Sequence, residues 1–244
     1  IQARGGILVG PGSEGSLMRV ALAVATLLAT AMTAGCVPEA PVLVPAGEPV
    51  PARPGEPDGF VAALSAAALE RTTHPVRYDG SYRTIPYPGG DVPADTGVCT
   101  DVVVRAYRTL GIDLQVDVHR EMAAHFDAFP RSWGLEAPDP NIDHRRVPNL
   151  EVLFQRRGHA LPVTGNADDY LPGDLVTWDV IGRPHIGIIV ERRSRDGGRF
   201  LVVHNIGRGP RLEDMLFDHP ITGHYRYYGG WIRQPATPEP DLLQ

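Results

Sequence analysis

The sequence predicts an α+β domain, with helices first and an antiparallel sheet after them, on three observations. Apolar residues recur at helical spacing in four segments that all precede residue 158. Beyond residue 168 the period shortens to the β-branched and aromatic runs "DLVTWDV", "HIGIIVERR", "RFLVVHNIG" and "GHYRYYGG". No internal repeat breaks this order, and with 43% hydrophobic residues in a chain of 244 there is material for one substantial core.

The elements follow in order. "DGFVAALSAAALERTTH" (58–74) reads as a helix, with Asp58 as N-cap and Phe60, Leu64 and Leu69 on one face. "YPGGDVPADTG" (87–97) is punctuated by Pro and Gly and reads as loop. "GVCTDVVVRAYRTLGI" (97–112) carries Val98, Val102, Ala106 and Leu110 at every fourth position with Val103 beside them, an apolar stripe stopped by Gly111. A third helix is expected over Asp117–Phe129. A fourth is expected over Pro148–Arg157, with Pro in its first turn and Gly158 past its end. Among the strands, "RSRDGGR" has the Asp-Gly signal of a hairpin turn. The domain therefore runs over 58–232, and the tail 233–244 reads as disordered.

The segment before the domain reads in layers. Residues 1–17 lack both a starting Met and any period. From Met18 the text "MRVALAVATLLATAMTAGC" has one Arg, an apolar stretch too short for a comfortable membrane span, and a small-residue pair before Cys36. Residues 1–35 thus resemble upstream sequence plus a bacterial lipoprotein signal, which implies lipid attachment at Cys36. An ordinary signal peptide or a single anchoring helix are the alternatives. All three place the protein outside the cytoplasm, in the bacterial cell envelope, and two acyl chains on Cys36 would hold it to a membrane. Residues 36–57 are Pro-rich and read as a semi-rigid tether.

A net charge of −6, with no run of Lys or Arg, argues against a nucleic-acid partner. Two cysteines make no disulfide framework. With Cys36 assigned to the anchor, Cys99 is the remaining thiol, and it stands at a helix start. A thiolate nucleophile wants a helix N-terminus, an imidazole to take its proton, and a polar group to orient that imidazole. The first is met from spacing alone, with Thr100 and Asp101 suited to a first turn, and the orphan N–H groups there can bind an oxyanion. Of nine histidines, His119 and His125 fall in a helix, His159 follows a helix end and His219 lies in a loop. His185 and His204 instead sit on successive strands, where the start of one lies beside the end of the next. Cys99, His144, His185 and His204 have no close spacing typical of zinc sites, so no metal is expected.

The ordered motifs "PGDLVTWD", "PHIGIIV" and "FLVVHNIG" resemble the second half of the NlpC/P60 papain-like amidohydrolases. "YPGGDVPADTGVCTDVVVRAYRTLGIDLQ", "NIDHRRVPNL", "VVHNIGRG" and "ITGHYRYY" resemble the bacterial DUF1287 family over roughly 58–230. The resemblance implies a papain-like fold, with the Cys-bearing helix packed on the sheet. It implies Cys99 as nucleophile and His185 as base, with His204, or Asn205 beside it, as the orienting residue. It also implies an upstream Tyr near the oxyanion, either Tyr82 or Tyr87. In NlpC/P60 enzymes Asp precedes the Cys and Ser-Gly follows, whereas here the neighbours are Val98, Thr100 and Asp101. In "NIDHRR", Arg145 and Arg146 either clamp a substrate carboxylate beside Asp143 and His144, or form a solvated loop that caps the next helix. The activity implied is cleavage of an amide bond in a cell-wall peptide, without a cofactor.

Overall fold

The computed structural model describes residues 55–57 and 59–229. The expected signal segment, Cys36, most of the tether, the Asp58 cap and the C-terminal tail lie outside the described residues. Helix α1 is Phe60–Arg71 and its N-cap is Gly59, in the left-handed region at φ 75°. Phe60 and Leu64 are fully buried, while Leu69 packs at the margin of the core. The helix ends earlier than expected because the hydroxyls of Thr72 and Thr73 donate to the carbonyls of Leu69 and Glu70.

Two short strands follow that no periodicity announces. β1 (Arg77–Tyr78) pairs in parallel with β2 (Thr96–Gly97), and the register sets Tyr78 opposite Gly97. Helix α2 is Cys99–Thr109. Its stripe is buried as expected, but so is its other side, since every residue from Cys99 to Tyr107 is buried. Burial all round is possible because the charged residues are paired. Arg105 holds Asp91 through Nε at 2.8 Å and a second nitrogen at 3.0 Å. Helix α3 is Leu114–His125, three residues ahead of the expected start, because the Asp113 side chain accepts from the Gln115 N–H and caps it there. Helix α4 is Val147–Arg156 with Pro148 in its first turn.

The strands β3 (Leu175–Asp179), β4 (Pro184–Arg193), β5 (Phe200–His204), β6 (Arg211–Glu213) and β7 (Ile221–Tyr225) form one antiparallel sheet in the order β6-β5-β4-β3-β7. The large core cluster lies between the helices and one sheet face, with Phe60, Val103, Tyr107, Leu150, Ile186 and Ile188 in it. A second cluster, including Trp178, Ile189, Val202 and Leu216, covers the opposite face. The α+β class and the order of helices before sheet are those the sequence predicts. Among the described residues, no helix is long and apolar enough to cross a membrane.

Candidate active site

The sheet makes the site through one register. Gly187 on β4 is opposite His204 on β5, so His185, two residues back on the same face, is the diagonal neighbour of His204. His185 Nε2 lies 3.0 Å from His204 Nδ1, with the rings edge to face. The far nitrogen of His204, Nε2, lies 2.8 Å from a carboxylate oxygen of Glu213 on β6. Both rings are buried, and the Trp178 ring lies 5.9 Å from that of His185.

Cys99 meets this strand at its next residue. The backbone N–H groups of Ile186, of Thr100 and of Cys99 itself lie near the Cys99 sulfur. These amides favour the thiolate, as a helix N-terminus should. Burial outweighs them, with the Asp101 carboxylate acting in the same direction, and the thiol is pushed up to about 11. A helix start favours the thiolate, but burial decides the outcome here. His185 goes the complementary way: burial, aided by His204 and His219, pushes it down to about 3. Both shifts favour the neutral forms at pH 7, the thiol of Cys99 and the imidazole of His185.

The tyrosine at the thiol is neither of the two expected. Tyr78 lies beside Cys99, and burial together with Cys99 raises it to about 12. Tyr82 is exposed, and its hydroxyl accepts from the Asn141 amide at 3.1 Å. Tyr87 packs its ring on His119 at 4.7 Å. Tyr78 reaches Cys99 because the β1–β2 pairing brings it beside Gly97, two residues from the sulfur. Asn205 does not reach His185. Its amide donates to the Gly97 carbonyl at 3.5 Å and its oxygen accepts from the Gly207 N–H. Of the two candidates for third member, His204 is the one in contact.

The "NIDHRR" cluster is an internal brace rather than a clamp or a solvated loop. Asp143, His144 and Arg145 are all buried. Arg145 grips Asp101 bidentately, at 2.9 and 3.0 Å, and also donates to the carbonyls of Asp79 and Ser81. Asp101 in turn accepts from the Val98 N–H at 2.6 Å, which fixes the first turn of α2. One ion pair thus joins the Cys99 helix to the segment carrying Tyr78. Arg146 donates to Asp143 at 3.1 Å and lies over the Trp133 ring. His144 is lowered to about 4, chiefly by burial, and its Nδ1 is buried without a hydrogen-bond partner.

A cleft of about 470 Å³ opens on the site, lined by Tyr78, Ile181, Arg183, Pro184, His185 and Ile206 among others. Ile181 is 93% exposed and sits at φ 52°, a strained conformation for a β-branched residue, in the turn joining β3 to β4. The cleft is lined by Tyr78 and His185 but not by Cys99, which is 4% exposed.

Comparison with known proteins finds relatives of this chain at the level of family. A solved Staphylococcus aureus subsp. aureus Mu50 protein, described as similar to a lipoprotein of the NLP/P60 family, aligns at TM-score 0.34 and 15% identity. That alignment covers 74% of this chain and 44% of the other, so the chain spans less than half of that neighbour. The uncharacterized protein YijF of Escherichia coli (strain K12) is 47% identical over 167 residues, which is 68% of this chain and 81% of that protein. The family described as "Domain of unknown function (DUF1287)" matches residues 65–227, a span that holds Tyr78, Cys99, His185, His204 and Glu213, and the chain belongs to that family.

Proposed function

We propose that this domain is a papain-like cysteine hydrolase of the bacterial envelope that cleaves an amide bond in peptidoglycan stem peptides. One observation carries the reading: a lone described thiol at a helix N-terminus meets a strand whose adjacent residue is half of a buried histidine pair.

The chemistry follows from the neutral resting state. With substrate in the cleft, His185 takes the Cys99 proton as sulfur attacks the carbonyl carbon, so no free thiolate need accumulate. The oxyanion receives hydrogen bonds from the α2 N-terminus, including the Cys99 N–H, and from the Tyr78 hydroxyl. The C–N bond breaks, the amine leaves with the proton from His185, and a thioester remains on Cys99. Water, deprotonated by His185, adds to the thioester; the S–C bond breaks and the product acid and thiol are restored. His204 orients His185, and no cofactor enters the scheme. Lipid attachment at Cys36, with the Pro-rich tether, would hold the domain near the cell wall. The exposed apolar lip at Ile181 and Ile206, with the Arg183 cation in the same cleft, suits a peptide carrying a carboxylate.

A second reading has one observation in its favour. The thiol raised to about 11 also fits a non-catalytic domain that binds cell-wall peptide on the same scaffold. The two separate on incubation of the purified protein with peptidoglycan fragments followed by chromatography of the products. Hydrolysis means cleavage in the native protein and none in Cys99→Ala. Fragments retained uncut by both proteins mean binding, and undiminished cleavage by Cys99→Ala removes the nucleophile assignment.

A further inference from the structure

We infer that Glu213 is a positioning residue that sets the proton order along the histidine pair and leaves Nδ1 of His185 as the open base. The inference deepens the hydrolase reading and rests on it for its purpose, though not for its geometry. A carboxylate can only accept, so the Glu213 oxygen 2.8 Å from His204 Nε2 requires a proton on that nitrogen. A neutral imidazole carries one N–H, so Nδ1 of His204 is then a lone pair. That lone pair, 3.0 Å away, requires the proton of His185 to sit on Nε2. Nδ1 of His185 is left unprotonated.

The opposite order satisfies the histidine–histidine bond equally well. His204 Nδ1–H would then donate to His185 Nε2, and His185 would carry its proton on Nδ1. A ring in that state cannot accept the proton of a thiol through Nδ1. Nothing within the pair chooses between the two orders, so the choice falls to what the outer nitrogen of His204 meets. Glu213 is that group. The other charged or titratable groups near the rings are His219, whose proximity disfavours charge on both, and Arg211, opposite His204 on β6, whose guanidinium donates to the Arg208 carbonyl. Neither supplies an acceptor to His204. A hydrogen bond to a charged acceptor favours the Glu213-directed order by roughly tenfold or more.

Two-bond proton–nitrogen NMR correlations on uniformly 15N-labelled full-length protein read the ring tautomers directly. In the native protein, His185 and His204 should both show protonated Nε2 and unprotonated Nδ1. In Glu213→Ala the order with Nδ1–H on His185 should rise about tenfold or more. A native pattern retained in Glu213→Ala, or Nδ1–H on His185 in the native protein, overturns the inference. Glu213 ends an edge strand and its side chain is 40% exposed, so the fold should survive the change. If it does not, Glu213→Lys replaces an acceptor by a donor. Loss or reversal of the native order then supports the inference, and retention overturns it. No substrate is involved, so failure of the hydrolase reading would leave this result standing, and the converse holds as well.

Discussion

His185 and His204 are held 3.0 Å apart across two strands, and Gly187 is what makes room for them. A Cβ on Gly187 would stand 2.6 Å from Val202 Cγ1 and 3.1 Å from both His204 Cβ and the Val203 carbonyl oxygen. Gly187→Ala must therefore push β5 outward at His204. The expected cost is about 1–3 kcal/mol in urea unfolding, with the His204 ring resonances displaced. An alanine variant of native stability and native ring shifts would mean that the register is looser than described.

Cys99 should be a slow thiol in the free protein. With its proton held up to about 11, the rate of alkylation by iodoacetamide should climb with pH toward that value. An ordinary thiol instead levels off around its usual pKa of about 8.5. Mass spectrometry of the Cys99 peptide across a pH series checks this. A plateau near neutrality would show that an ion pair with His185 forms without substrate.

Tyr78 is separable from the fold because it is itself partly exposed. If its hydroxyl serves the oxyanion, Tyr78→Phe should lower turnover of peptidoglycan fragments by about 10²–10³-fold with little change in urea midpoint. Tyr82→Phe and Tyr87→Phe should leave turnover unchanged.

Acid should unfold this domain through its buried imidazoles. His185 is lowered to about 3 and His144 to about 4, from 6.5 in the unfolded chain, each chiefly by burial. Between those limits the unfolded chain binds more protons. The stabilisation is thus complete above pH 6.5 and is lost as pH falls toward the folded values. Two such groups imply a loss of roughly 3 kcal/mol or more between pH 6.5 and 4.5. Urea midpoints measured across that range test it, and His144→Gln should flatten the slope. A flat native profile would contradict the burial of both rings.

The Asp101–Arg145 pair is buried on both sides, and removing one partner strands the other. Arg145→Ala should cost about 3–5 kcal/mol and, by releasing the carbonyls of Asp79 and Ser81, should also loosen the Tyr78 segment. Guanidinium unfolding measures the first effect. A cost below about 1 kcal/mol would place the pair in solvent.

What was legible in the sequence is what local period encodes. The four helices and the strands β3, β4, β5 and β7 announce themselves because each buries an apolar set at its own spacing. Cys99, His185 and His204 stand out because they punctuate those elements. The misses share a physical cause. β6 is three residues with two charges, an edge strand without an alternating apolar face, so Glu213 gave no signal. β1 and β2 have two residues each and pair in parallel across the loop between them, which left Tyr78 hidden while the loop residues Tyr82 and Tyr87 drew attention. Asp101 and Arg145 read as surface charges until the fold brings them together from 44 positions apart. The raised thiol escapes local reading for a related reason: helix-end polarity is encoded nearby in the chain, whereas burial depends on everything packed around the sulfur.

Whether Cys99 carries the acyl group is read by intact-mass spectrometry of protein acid-quenched during incubation with peptidoglycan fragments. A mass increase equal to the acyl portion of the cleaved peptide, mapped to Cys99, should be present in the native protein and absent in Cys99→Ala. Cleavage products that form in Cys99→Ala, or an adduct mapped to any other residue, would contradict that role for Cys99.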